Sequence, residues 1–195
     1  MSRSRFAGAI AGVGTTGGTR VVVGRWPVSP YGSFADAMVE TATGRRVLLA
    51  PTDQVAEFVS STYSFDEVRI EPIAVNGWDV STPSLRLTLT VGRRTVLGWL
   101  LRLVPRRLAE SPAWCAVTDP VARVVLRGVR TRGTAGNGRR EWYGATDVHE
   151  LVAVSGELDG ADLGTLRPVT PAPRFGFSST PARPSVTAVV TTVEG

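Results

Sequence analysis

The sequence predicts a mainly β protein: an antiparallel sheet, strongly curved or closed into a barrel or cone, with one or two short helices. Three observations predict it. Glycine and proline are both frequent, at 21 and 13 of 195 residues, and are spread along the chain, which suits many short strands joined by turns. β-branched or alternating apolar runs recur at TRVVVGRW (19–26), SLRLTLTV (84–91) and SVTAVVTTV (185–193). Asn137-Gly138 is the strongest hairpin signal, because a two-residue type I′ turn needs positive φ at both central positions. No repeat or domain boundary is evident, so residues 1–195 read as a single β-rich domain, long enough for one sizeable core.

The elements follow in order. Gly12, Gly14 and Gly17 form a formal G-x-G-x-x-G, but a strand pattern follows it where a nucleotide loop needs a helix, so it reads as a flexible glycine loop. Val21–Val23 make the first strand. Pro27 and Pro30 mark a corner, SFADAMVE (33–40) a second strand, Thr43-Gly44 a turn, and RRVLLA (45–50) a third strand. Thr52 or Asp53 caps a short helix with Val55, Phe58 and Val59 at helical spacing, ending by Ser64. In DEVRIEPIAV (66–75), Val68 and Ile70 alternate with Glu67, Arg69 and Glu71, which predicts a half-buried strand to Pro72. NGWDVSTP (76–83) reads as a loop.

SLRLTLTV is the cleanest strand, with Leu85, Leu87, Leu89 and Val91 on one face. The continuous apolar run 94–104 fits buried strand and helix equally. Residues 106–125 should hold short helical turns at most. Asp159-Gly160 is a further turn signal, 168–184 a proline-rich cover, and 185–193 a buried closing strand.

If Asn137-Gly138 turns the hairpin 126–151, Thr134 faces Glu141 and Arg132 faces Tyr143. Period-2 alternation then puts Arg130, Arg132, Thr134, Glu141, Tyr143, Asp147 and His149 on one face. Val129, Thr131, Trp142, Thr146 and Val148 form the other, more apolar face, which should meet the core. The charged face is either a solvated ladder, with cross-strand pairs each contributing ~0.2–1 kcal/mol, or the lining of a polar cavity. A bulge at one of the glycines would flip the faces beyond it.

Composition excludes several chemistries. No lysine occurs, and all 22 basic side chains are arginine. Schiff-base catalysis, covalent pyridoxal phosphate and a P-loop all need that lysine. One cysteine, Cys115, rules out an internal disulfide and Cys-rich zinc, and one histidine rules out a multi-His metal centre. Cys115 lies in an apolar stretch and reads as core, as do Trp99 and Trp114. No cofactor or metal is indicated. The net charge of +5 favours anionic partners, but the arginines are dispersed as pairs rather than gathered in a tail. No segment reaches the ~18–20 apolar residues of a membrane span, and the N-terminus is too Gly-rich for a signal peptide, so a cytoplasmic protein is expected.

Three stretches carry a family resemblance: SPYGSFADAMVE with RRVLLAP, then GRREWYGATDVHEL, then PRFGFSSTPARPSVT. Together they resemble a family of uncharacterised, mainly actinobacterial proteins. The first stretch, with the late all-β half, is also similar to the acetoacetate decarboxylase-like superfamily. That resemblance implies a cone-like β structure around a cavity. It does not imply the decarboxylase mechanism, which works through a lysine this chain lacks.

Three functions follow as expectations. The first is a small-molecule binding β-barrel for an apolar or amphipathic, anionic ligand, with Arg130, Arg132, Glu141, Tyr143, Asp147 and His149 as candidate binding residues. The second is a lysine-independent enzyme using the same Arg/Glu/Tyr/Asp/His cluster, in which Asp147 orients His149 for acid–base work. No G-x-S-x-G elbow supports a hydrolase. The third, nucleic-acid binding through arginines and aromatics, lacks any motif.

Overall fold

The computed structural model describes residues 3–126, 129–134, 138–176, 178 and 180–195. The chain begins with β1 (Arg3–Thr15), β2 (Arg20–Val28), β3 (Phe34–Glu40) and β4 (Arg46–Ala50), an antiparallel meander, followed by α1 (Asp53–Thr62). Then come β5 (Glu67–Ile70), β6 (Ala74–Asn76), β7 (Asp79–Ser81) and β8 (Leu85–Arg94). Three helices follow: α2 (Val96–Arg102), α3 (Arg106–Ala109) and α4 (Pro112–Val125). The chain ends in β9 (Arg132–Thr134), β10 (Arg140–Leu158), β11 (Ala161–Asp162), β12 (Leu166–Arg167) and β13 (Ser185–Glu194).

All the strands join one sheet, ordered β5-β4-β3-β2-β1-β13-β10-β8-β7-β6 along its main path, which curls into a half-barrel. The mainly β, curved fold is the one composition predicts. Among the described residues the sheet is antiparallel except where β5 lies parallel to β4. The closing segment β13 sits at its centre, between β1 and β10.

The curl makes two cores. Inside it, Val13, Val23, Val39 and Leu49 from one end of the sheet meet Leu85, Leu87 and Val154 from the other. On the outer side, α1 lays Val55, Ala56 and Val59 on Leu48 and Ala50. Burying each of those valines contributes ~1.5–3 kcal/mol. The α1 start is as expected: Thr52 is extended and its side chain accepts a hydrogen bond from Val55 N.

Several elements differ from expectation. The first 18 residues hold a 13-residue strand rather than a glycine loop. Its glycines are close-approach positions: a Cβ at Gly14 would lie 2.3 Å from Pro168 O, and one at Gly8 would lie 1.9 Å from Arg25 O. β5 is inverted, with Val68 and Ile70 exposed and Glu67 and Arg69 turned inward, because Arg69 pairs with both Glu67 and Asp159. Residues 76–83 are not a plain loop: β6 and β7 form a tight hairpin whose turn starts at Gly77, with φ +61°.

The ambiguous run 94–104 is a helix from Val96, capped by the Thr95 side chain. The stretch 106–125 holds a 14-residue helix, not isolated turns. Ser111 caps it and Pro112 takes its first turn, where a missing N–H costs nothing. With α3, this makes four helices among the described residues, not one or two. None of them is long and apolar enough to cross a membrane.

Candidate functional site

β10 is 19 residues long, and its register decides which side chains meet. The predicted two-residue turn would pair Thr134 with Glu141. Instead Thr134 pairs with Arg140 and Arg132 with Trp142. Asn137 lies outside the described residues; Gly138 adopts the positive φ expected of it, +82°, but this ladder is one step out of the expected register. Arg132 and Glu141 therefore fall on opposite faces.

A second shift follows at Thr146. Ala145 pairs with Val189 and Asp147 with Ala188, so Thr146 is an extra residue, a bulge in β10. Glu141 and Tyr143 project on the outer face with Val193 and Thr191. Asp147 and His149 project on the opposite face, with Ala188 and Val186.

The six predicted binding residues are thus dispersed. Arg130 grips Asp119 of α4, its Nε within 3.1 Å and 3.2 Å of the two carboxylate oxygens. Arg132 is exposed. Asp147 accepts two hydrogen bonds from Arg94 Nε, at 2.8 Å and 3.1 Å. Burial works to raise the Asp147 carboxyl, but the bonds and charge of Arg94 outweigh it and hold it below the ordinary range. His149 Nδ1 lies 4.0 Å from Asp147 Oδ1, beyond hydrogen-bond reach, so Asp147 does not orient the imidazole. Only Glu141 and Tyr143 reach a common site.

That site is a cavity of about 60 Å³ between the outer face of the sheet and α1. Phe6, Phe34, Phe58 and Trp26 supply much of its wall, and Asp36, Glu141, Tyr63, Tyr143 and Thr191 its polar lining. The Phe6 ring stacks on Phe58 at 4.9 Å and meets Trp26 and Phe34 edge-on.

Two carboxyls face this apolar space. Glu141, 2% exposed, accepts a hydrogen bond from Tyr143 Oη at 2.6 Å and a long one from Tyr63 Oη at 3.5 Å. The two phenols also hydrogen-bond each other. Tyr63 arrives at the α1 C-terminus, where its N–H caps the helix on Val59 O. Burial raises the Glu141 carboxyl, and the Tyr143 bond offsets part of that rise. Burial also pushes both phenols far above their ordinary range, so they stay protonated and able to donate.

Asp36 comes from β3. Burial pushes its carboxyl up to about 7, against the lowering effect of Trp26 Nε1, which donates to Oδ1 at 2.9 Å. Gly24 makes that pair possible, since a Cβ there would lie 2.4 Å from both bonded atoms. Thr191 Oγ1 is buried and has no hydrogen-bond partner among the described residues. An unsatisfied buried hydroxyl carries a desolvation cost of ~1–3 kcal/mol unless something fills the space beside it.

Sequence reasoning missed Asp36, Trp26, Tyr63 and Thr191. One signal was available at Asp36. On FADAMVE it alternates with Ala35 and Ala37 and shares its face with Phe34 and Met38, a carboxyl set into an apolar stripe.

A larger, open groove of about 330 Å³ lies at the Gly14–Arg20 turn beside Arg167. Its glycine motif does not cradle an anion. The N–H groups of Thr15, Thr16, Gly17 and Gly18 all donate to backbone carbonyls, and Arg20 is committed to Glu40 at 2.8 Å. The smaller cavity holds the perturbed groups, so the chemistry belongs there. No cluster of three His, Cys, Asp or Glu suited to a metal occurs among the described residues. Cys115 is buried, its thiol pushed up to about 11 by that burial, as a core residue rather than a nucleophile. Trp99, expected in the core, is exposed.

No protein-family model matches the chain, and no curated protein or solved structure is significantly similar to it.

Proposed function

We propose that the protein binds a small amphipathic molecule in the cavity between α1 and the sheet, with the aromatic wall taking its apolar part. The carrying observation is the convergence of two buried carboxyls and an unpartnered hydroxyl on one aromatic-lined space. Net charge suggested an anionic ligand, but the lining argues for the opposite. None of the described lining residues is cationic, and an anion would be buried against Asp36 and Glu141. A cationic amine head fits better: it would pair with ionised Asp36 and lie against aromatic faces. A water needs ~10–15 Å³ by the same measure, so the space takes a handful of waters or a head group of a few heavy atoms. Arg139 lies outside the lining, over the Phe58 ring at 5.6 Å from its centroid, and donates to Ser61 Oγ. Its charge offsets part of the effect of burial on Glu141, whereas among the described residues no such neighbour offsets the rise of Asp36.

The test is calorimetry and thermal shift with isobutylamine, isobutanol and isobutyrate. The amine should bind best and the carboxylate worst. Amine affinity should rise with pH through about 7 as Asp36 ionises, and Asp36→Asn should abolish that rise. Equal responses to all three compounds, or none to any, would remove the reading.

A second reading has one observation in its favour. A carboxyl titrating near 7 suits general acid–base catalysis at neutral pH. It moves the enzymatic hypothesis from His149 to Asp36. Turnover abolished by Asp36→Asn but not by His149→Ala would establish it.

A further inference from the structure

The helices on the other side of β10 are built inside out. On α2, Val96, Trp99, Leu100 and Leu103 recur at i, i+3, i+4 and i+7, the spacing of a buried face. All four are exposed, Val96 to 78% and Leu103 to 79%. The buried side of α2 is Gly98, where an added Cβ would lie 2.4 Å from Val148 O. The same inversion occurs on α4. Val117, Val121 and Val124 form an exposed stripe, while Cys115, Asp119 and Ala122 face the protein.

Within the segment that carries these stripes the outward charge has one sign. Residues 93–126 contain six arginines and two carboxylates, Glu110 and Asp119. Both carboxylates are turned inward and paired, Glu110 with Arg5 and Arg106, and Asp119 with Arg130. Arg93, Arg102, Arg106, Arg107 and Arg123 are exposed. Beside Trp99, Arg94 lies 4.6 Å over the indole.

We infer that the α2–α4 segment docks on the surface of an anionic lipid bilayer, its Val, Leu and Trp side chains entering the interface and its arginines meeting the headgroups. Apolar residues with an aromatic on one side of a short helix and cations at its flanks are what the bilayer interface accepts. Charge decides against a second copy of the chain as the occupant. A two-fold contact through this face would set its arginines against their own copies, and their carboxylates are already used internally. The proposal is independent of the cavity and of its ligand.

Co-sedimentation of the full chain with phosphatidylcholine vesicles, with and without phosphatidylglycerol, tests it. Binding should require phosphatidylglycerol and weaken as salt is raised. Each exposed arginine contributes roughly fivefold, so Arg106→Gln with Arg107→Gln should weaken partitioning by about twenty-fivefold. Trp99→Ser with Leu103→Ser should abolish it. All four positions are exposed, so the melting curves of these variants should stay near that of the parent. Absence of binding to phosphatidylglycerol vesicles at low salt, or binding indifferent to both double variants, would overturn the assignment. So would sedimentation velocity showing a dimer that Trp99→Ser with Leu103→Ser dissociates, since the face would then be covered by a second copy.

Discussion

The two faces of β10 receive the same kind of group and treat it in opposite ways. On the outer face Glu141 sits among phenols and rings, and burial raises its carboxyl. On the other, Asp147 is held by Arg94, and its carboxyl is lowered. The residues are only six apart on one strand. What separates them is Thr146, the extra residue that reverses the alternation. A carboxyl whose burial in an apolar space outweighs its partners is a means of binding or proton transfer. A carboxyl with an arginine is a clasp between elements, here β10 and the end of β8.

The largest expected effect comes from the uncompensated side. Asp36 shares the cavity with Glu141 and titrates near 7 in the folded protein, against an ordinary value of 3.8. Between those values the folded state holds a proton that the unfolded state has released. Stability therefore falls as pH rises from 4 towards 7 and levels off above it, by about 4 kcal/mol in all. Asp36→Asn removes this slope, so the variant should gain about 4 kcal/mol relative to the parent between pH 4 and pH 8. Urea denaturation at the two pH values measures it. Parallel profiles for parent and variant would mean that Asp36 is ionised in the folded protein.

Tyr143→Phe comes next. It takes from buried Glu141 its 2.6 Å donor and leaves the smaller contributions of Thr62 and Tyr63. Loss of about 1–3 kcal/mol is expected at neutral pH, where the unfolded state ionises Glu141 freely. A loss below about 0.5 kcal/mol would show that the pair is not formed in solution.

Most of the fold was legible in the residues, and less of the site. Strands with clean alternation, such as Leu85–Leu89, and the Thr52-capped helix occur where their patterns place them, although Val91, expected on the buried face of that strand, is exposed beside an irregularity in its pairing with β10. Turn chemistry worked where the turn was local: Asp159 and Gly160 both adopt positive φ, and Leu158 pairs with Ala161 across them. It failed where parity had to be carried far. From the turn predicted at 137–138 to His149 the alternation passes one register difference and one bulge, and each moves side chains to the other face. The apolar content of 94–104 misled for another reason. It marks apolar side chains but not which way they point, and on α2, as on α4, they point outward.

Asp147→Asn probes the compensated side. Arg94 and Asp147 are partly buried, and such a pair contributes about 1 kcal/mol. Here the folded carboxyl is lowered, so the sign is opposite to that of Asp36. The stabilisation is present above the unfolded carboxylate range and is lost as pH falls through the folded one. The variant should therefore be weaker than the parent at pH 7 and equal to it in acid. The Asp36 and Asp147 variants should show pH dependences of opposite slope, which is the contrast between the two faces in measurable form.

His149→Ala should do least. Its ring nitrogen does not reach Asp147, its side chain is about one-third exposed, and it projects away from the cavity. A stability change within about 0.5 kcal/mol is expected, with amine binding in the cavity unaltered. The chain contains a single histidine, so the variant also separates the two faces of β10 as seats of any activity. If a pH-dependent step near 7 survives His149→Ala and disappears with Asp36→Asn, the proton belongs to the cavity face. The reverse result would return the chemistry to the imidazole and require the face of β10 that carries it to open towards a ligand.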